Sequence, residues 1–226
     1  MLISVEKTEI FESLSSPQFA TLIKKGQQII LQPKSILFHQ DDLAERCFMV
    51  NRGRLKLTML SEQGKEVILR YLSSGELAAA IAVLRNQTYP VTAECVDETE
   101  VIGWDKPTIV ALMHQYPAIA INLLGIVFDR IDDLQHRYLE MCSEHVNQRI
   151  ARSLLRLMRR AGIKTPEGIH IDIPLSRQNI ADYCGTTLST VSRTLSIWEK
   201  KDWIKSGREK IIIKDPHALV LFAEGV

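Results

Sequence analysis

The stretch from Ser176 to Lys201 constrains the fold more than any other part of this 226-residue chain. It reads Ser-Arg-Gln-Asn-Ile-Ala-Asp-Tyr-Cys-Gly-Thr-Thr-Leu-Ser-Thr-Val-Ser-Arg-Thr-Leu-Ser-Ile-Trp-Glu-Lys-Lys, two helical periods separated by a glycine. Ile180, Ala181 and Tyr183 give the first an apolar stripe, with Ser176 placed to cap its N-terminus. Leu188, Val191, Leu195 and Trp198 recur at spacings of 3, 4 and 3 in the second, with Thr187 as its cap. Gly185 falls where the chain has to turn sharply. Helix, tight turn, helix is the pattern of a helix-turn-helix. Ser189, Ser192 and Arg193 stand at i, i+3 and i+4 on the side of the second helix away from its apolar stripe. All three therefore reach toward the floor of a DNA major groove, where an arginine forks onto the two acceptors of a guanine.

A glycine-broken helix pair alone also fits two surface helices of an all-α domain, and the flanking sequence narrows the choice. After Lys200-Lys201 come Trp203-Ile204, a Ser206-Gly207 turn and Lys210-Ile211-Ile212-Ile213, which read as a small β-hairpin with basic residues at its tip. That makes the motif a winged helix-turn-helix. Charge supports it. Between Asn147 and Lys214 the chain carries 14 Lys and Arg against 6 Asp and Glu, a balance of +8, while the remainder carries 14 against 21, a balance of −7. A basic C-terminal third on an acidic body is the distribution expected of a phosphate-contacting domain carried by one that does not touch DNA.

The rest of the chain reads in blocks. Ile10, Phe11, Leu14, Phe19, Leu22 and Ile23 predict short helices broken at Pro17. From Gln28 to about Asp105, short apolar runs alternate with turn signals such as Pro33-Lys34, Asn51-Arg52-Gly53 and Gln63-Gly64-Lys65, the pattern of an antiparallel β-roll or jelly roll. From Pro107 the period is helical. Val127, Ile131, Leu134, Tyr138, Met141 and His145 follow at heptad spacing, a seam suited to dimerisation. The pattern breaks near His145–Asn147, where a domain hinge is expected, and Ile150, Leu154, Leu155, Leu157 and Met158 begin a new helix. The expected class is α+β, with a β-roll over 1–116, a dimerisation helix over 117–145 and a winged helix-turn-helix over 146–226.

No apolar run approaches the roughly 18 residues of a membrane span, and the N-terminus, with Glu6, Lys7 and Glu9, lacks a signal-peptide core. Cys47, Cys95, Cys142 and Cys184 form no C-x-x-C pair, which fits free thiols in a reducing, cytoplasmic compartment.

The order β-roll, long helix, winged helix-turn-helix resembles that of the Crp/Fnr family of bacterial transcription regulators, along essentially the whole chain. The likeness is carried by Phe48-Met49-Val50-Asn51-Arg52-Gly53-Arg54-Leu55-Lys56-Leu57, Leu72-Ser73-Ser74-Gly75-Glu76, Asn147-Gln148-Arg149-Ile150-Ala151-Arg152-Ser153-Leu154-Leu155, Leu175-Ser176-Arg177-Gln178-Asn179-Ile180-Ala181 and Thr190-Val191-Ser192-Arg193-Thr194-Leu195. The resemblance implies phosphate contacts from Ser176, Arg177 and Gln178, and base contacts from Ser189, Ser192 and Arg193. Thr187, Thr190 and Arg208 complete the expected DNA-binding set. It further implies a homodimer seamed at Val127, Ile131, Leu134, Tyr138 and Met141, a two-fold symmetric operator in double-stranded DNA, and RNA polymerase as a partner. One departure is Ser189, where the family usually has a Glu that accepts from cytosine N4. A serine hydroxyl donates, accepts and is shorter, so it enforces no single base.

Relatives hold cyclic nucleotide through a Gly-Glu pair, an Arg-Ser pair and a Thr-Ser on the long helix. The matching stretches here are Ala79-Ala80-Ile81-Ala82, Gln87-Thr88-Tyr89-Pro90-Val91-Thr92 and Leu134-Gln135. This makes Ala79, Ala80, Tyr89, Pro90, Thr92 and Leu134 the candidate effector pocket. It offers no Arg for a phosphate and no Glu for a ribose, so cyclic AMP is not the expected effector. An iron–sulfur cluster is not expected either, because no cysteine precedes Cys47.

Tyr89-Pro90-Val91-Thr92-Ala93 resembles the branch that responds to nitric oxide or redox stress, some members of which carry haem. Candidate axial ligands are His39, Cys47, Cys95, His114, His136 and Met141, each also explicable as an ordinary core or surface residue. An unidentified small-molecule or gas effector is the alternative. A cupin-like enzyme would need clustered histidines, but His39 stands alone in the strand region, so neither a catalytic residue nor a metal site is expected. A ligand-sensing module that binds protein instead of DNA is the third reading.

Overall fold

The computed structural model describes residues 8–62 and 64–225, so Glu6 and Lys7 lie outside the described residues. The chain falls into two compact units that divide between Asp133 and Leu134.

The first unit opens with a 3-10 turn (Glu9–Phe11) and α1 (Ser16–Lys24). Pro17 begins α1 instead of breaking it, because the first helical turn has no partner for the N–H that proline lacks. Eight strands follow: β1 (Gln27–Leu31), β2 (Ile36–Phe38), β3 (Arg46–Arg52), β4 (Leu55–Leu60), β5 (Glu66–Leu72), β6 (Leu77–Ala78), β7 (Thr92–Cys95) and β8 (Thr99–Asp105). A short helix not expected from the sequence, α2 (Ala80–Leu84), lies between β6 and β7; α3 (Lys106–Gln115) and α4 (Ala118–Ser143) follow β8. The strands form two antiparallel sheets, in the orders β1-β8-β3-β6 and β2-β7-β4-β5, which make up the β-roll.

Strand β8 is central to the first sheet, and its residues Thr99–Trp104 are all buried. Trp104 anchors the helical cap to the roll. Its indole N–H donates to the Leu22 carbonyl at 3.1 Å, and its ring meets Phe11 edge-on at 5.8 Å. Gly103 is required by close approach, since a Cβ there would lie 2.9 Å from the Phe48 ring.

α4 is one helix of 26 residues with different burial along its length. Ile119 and Leu123 are buried, and Ile126 and Val127 pack against the β-roll core. Val127, expected in the seam, is half-buried against this core in the single chain. The outward apolar ladder runs Ile121, Leu124, Phe128, Ile131 and Tyr138, with Leu134 and Met141 beside it. Phe128 is 72 % and Tyr138 71 % exposed.

The second unit holds the end of α4, then α5 (Val146–Ala161), β9 (Gly162–Thr165), β10 (Gly168–Ile171), α6 (Arg177–Cys184), α7 (Leu188–Lys200), β11 (Ile204–Gly207), β12 (Lys210–Ile213) and α8 (Pro216–Glu224). The sheet is antiparallel, in the order β11-β12-β10-β9, twice the expected hairpin. The wing turn also sits later than expected. Ser206 and Gly207 belong to β11, Gly207 pairs with Lys210, and Arg208-Glu209 make the turn with Glu209 at φ +55°. Among the described residues no single helix is long and apolar enough to cross a membrane.

Candidate nucleic-acid interface and effector pocket

α6 and α7 are set by their ends. The Ser176 hydroxyl oxygen accepts from the Asn179 N–H at 3.0 Å, and the Asn179 side-chain oxygen accepts from the Ser176 N–H at 3.0 Å, a reciprocal cap at the start of α6. Gly185 closes α6 at φ +63°, in the left-handed region where a Cβ would strain the turn. Thr187 then caps α7 by accepting from the Thr190 N–H at 3.2 Å. Ile180, Ala181, Tyr183, Val191, Leu195 and Trp198 are buried between these helices and their neighbours. Thr194 donates to the Asn147 side-chain oxygen at 2.8 Å, fixing the roll of α7 against α5. Trp198, Trp203 and Phe222 pack their rings together, so α8 braces the back of α7.

That packing presents one face of α7 to solvent. Ser189 and Arg193 are exposed and Ser192 is half-buried. Arg208 stands exposed at the wing turn, and among the described residues neither Arg193 nor Arg208 has a hydrogen-bond or ion-pair partner. The other expected contacts are already engaged. Arg177 donates to the Ser206 hydroxyl at 3.2 Å and lies 3.6 Å from Glu199, which ties the start of α6 to the wing strand; the Gln178 amide donates to Asp182 at 2.8 Å. Ser189 and Thr190 are hydrogen-bonded to Thr187 through their hydroxyls, at 3.0 and 2.9 Å. Leu188 departs from its expected place in the core stripe and is 46 % exposed.

The candidate effector residues are not all brought together. Ala80 and Tyr89 are buried in the β-roll, Ala79 takes φ +64° ahead of α2, and Pro90 is exposed. Thr92 accepts from the Gln40 N–H at 3.0 Å. Leu134 belongs to the second unit and stays exposed. Tyr89 fills its own site: its hydroxyl donates to the Arg46 carbonyl at 2.9 Å and accepts from the Arg46 N–H at 3.2 Å, while its ring stacks 4.0 Å from Phe38. Burial pushes the phenol pKa up. Sequence reasoning missed one charged cluster, in which Glu76 pairs with Arg70 and lies 3.7 Å from Arg130 of α4; the Gly75-Glu76 pair was its only signal.

Among the described residues no group of three or more His, Cys, Asp or Glu is arranged to hold a metal ion. Cys47 and Cys95 are fully buried, and burial pushes the Cys47 thiol up to about 12 and raises that of Cys95. His39, His114, His136 and Met141 are exposed.

A helix-turn-helix whose free guanidinium faces outward, on a chain that begins with a β-roll and a long helix, defines a DNA-binding transcription regulator. Residues 28–116 match the cyclic nucleotide-binding domain and residues 148–222 the Crp-like helix-turn-helix domain. The chain belongs to the Crp/Fnr family of transcription regulators. It is similar to the nitrogen fixation regulation protein FixK of Azorhizobium caulinodans, 26 % identical over 86 % of this chain and 78 % of the relative. The transcriptional activator protein Anr of Pseudomonas protegens is 26 % identical over 90 % of this chain and 82 % of its own. In fold it resembles a CooA mutant from Carboxydothermus hydrogenoformans, with a TM-score of 0.76 at 21 % identity over 99 % of this chain and 98 % of that one.

Proposed function

We propose that the chain acts as a cytoplasmic homodimer that reads a two-fold symmetric operator in double-stranded DNA. α7 of each protomer enters the major groove, and an effector other than a cyclic nucleotide controls binding. Ser189, Ser192 and Arg193 read bases, Arg193 preferring guanine; Ser176, Arg177, Gln178, Thr187, Thr190 and Arg208 hold the phosphates. The chain works by binding, with RNA polymerase as the partner that the family resemblance implies. The observation that carries the dimer is the outward ladder of α4. Ile121, Leu124, Phe128, Ile131 and Tyr138 follow at coiled-coil spacing and are exposed in the single chain, more apolar surface than one helix leaves to water without a partner. A Phe128→Asp variant tests it by sedimentation. The expected result is a folded monomer, and an unchanged dimer contradicts the seam.

The effector reading rests on Tyr89. At the point where a cyclic phosphate would need a cation, the β-roll holds a phenol spent on the Arg46 peptide. An uncharged or largely apolar effector suits that surface. A haem-based sensor of nitric oxide or redox state is the second reading, supported by the Tyr89-Pro90-Val91-Thr92-Ala93 resemblance. The candidate cysteines Cys47 and Cys95 do not fit it, because a buried, protonated thiol is a poor iron ligand. The axial ligand would fall to His39, His114, His136 or Met141. An absorption spectrum of protein from haem-replete cells separates the two: a Soret band that shifts with nitric oxide supports haem, and a featureless spectrum after haem titration removes it.

A further inference from the structure

The second unit carries a cluster of charges that neither the outward face of α7 nor the β-roll uses. Arg149, Arg152 and Arg156 follow at spacings of 3 and 4, so α5 turns all three to one side. Glu140 and Glu144 stand one turn apart near the end of α4 and face them. Arg156 donates to Glu140 at 2.6 Å and Arg152 to Glu144 at 2.7 Å. Two carboxylates thus meet three guanidiniums. The third, Arg149, reaches only the Glu144 backbone carbonyl, at 3.4 Å, and its Nε is buried with no hydrogen-bond partner among the described residues. Arg137 of α4 brings a fourth guanidinium to the same place, since the charges of Arg137, Arg149 and Arg156 all act on the buried Cys184 thiol at the end of α6.

Glu140 and Glu144 are only 14 % and 17 % exposed, so the surplus charge sits where water screens it poorly. A guanidinium drawn out of water without a counter-charge is costly, and an oxyanion removes that cost by supplying charge and acceptors together. Guanidiniums from two helices converge here, which suits an anion that accepts in several directions. Phosphate offers three acceptor oxygens and up to two charges, where a carboxylate offers two oxygens and one charge. We propose that Arg149, with Arg137 and Arg156 beside it, forms a phosphate-binding site at the junction of α4, α5 and α6. Two sources share this chemistry: a free phosphate or small phosphorylated molecule, and the DNA backbone. The second is within reach because Asn147, two residues before Arg149, accepts from Thr194 of α7 at 2.8 Å.

Equilibrium dialysis of the full-length protein against radiolabelled inorganic phosphate, at constant ionic strength, tests the site. Saturable uptake of one phosphate per chain is expected, displaced by sulfate and not by chloride. R149Q should weaken it about tenfold or more, and E144Q, which removes a nearby negative charge, should tighten it about fivefold. Without phosphate, R149Q should melt no lower than the wild type, because it removes an uncompensated charge. Absence of saturable uptake by the wild type overturns the site, as does equal uptake by wild type, R149Q and E144Q. A lower melting point of R149Q without phosphate also overturns it, by making Arg149 a structural residue. Dialysis repeated with an operator duplex selected from a randomised pool separates the sources. Uptake that persists assigns the site to a small phosphorylated ligand, and uptake that the duplex abolishes assigns it to a backbone phosphate. The DNA-free measurements stand whether or not α7 is the helix that reads the groove.

Discussion

The Arg137 guanidinium donates to the Tyr183 hydroxyl at 2.6 Å and lies 4.9 Å from the centroid of the same ring, so the last turns of α4 grip α6 twice through one side chain. Two further pairs act with it: Arg156 of α5 with Glu140 at 2.6 Å, and Arg152 with Glu144 at 2.7 Å. Together they tie the last turns of α4 to α5 and α6 within the second unit. The end of the long helix is part of the DNA-binding unit.

Arg137→Ala is expected to destabilise the second unit by about 1–3 kcal/mol, and Tyr183→Phe, which keeps the ring contact, by about 1 kcal/mol. Urea unfolding followed by Trp198 and Trp203 fluorescence in a Trp104→Phe background reports this. Unchanged midpoints in both variants contradict the grip.

Cys142 provides a test of the seam. It is exposed and continues the coiled-coil spacing of Phe128, Ile131 and Tyr138, while Cys47, Cys95 and Cys184 are buried. Burial holds Cys47 at about 12 and Cys184 at about 11, so at pH 8 both stay protonated and unreactive. A short bismaleimide is expected to join two chains, and Cys142→Ser to prevent it. Cross-linking that persists in that variant would place the interface elsewhere.

Arg193 and Arg208 should fail in different ways. Arg193→Ala is expected to lose about 5- to 150-fold in affinity per half-site and to relax the preference for guanine at one position. Arg208→Ala is expected to weaken all sequences alike and to lower the slope of log affinity against log salt by about one per protomer. Titrations at several salt concentrations separate them, and identical behaviour would remove the division into base and phosphate contacts.

Tyr89 predicts how the β-roll responds to cyclic AMP. With the phenol on the Arg46 peptide and no cation in place of the phosphate partner, millimolar cyclic AMP should leave the melting temperature unchanged. Tyr89→Phe should cost about 1 kcal/mol, because it removes the phenol's hydrogen bonds to the part-buried Arg46 peptide groups. A dose-dependent rise in melting temperature with cyclic AMP would contradict this account of the pocket.

Local chemistry explains what the sequence disclosed. Ser176, Gly185 and Thr187 define the ends of α6 and α7 through caps and a left-handed residue, and those depend on nearest neighbours alone. The misreadings came from tertiary packing. Two columns of α4 share Ile131 and Tyr138, and only the docking of the helix on the β-roll decides that Val127 is half-buried and Phe128 exposed in the single chain. Leu188 fits the periodicity of the core but stands past its end. The β9–β10 hairpin was signalled by Pro166-Glu167-Gly168, with Gly168 at φ +130°, yet its strands are four residues each and too short for a period to register. The partners of Arg177 and Glu76 lie far along the chain or across a strand, where no spacing announces them.

The central claim is a dimer that sets two copies of α7 in successive major grooves. Hydroxyl-radical footprinting of the full-length protein on its selected operator tests this most directly. The account predicts two protected patches of equal strength, related by the operator's two-fold axis and centred about 34 Å, one helical turn, apart. A single patch, or two patches at another spacing, would contradict it.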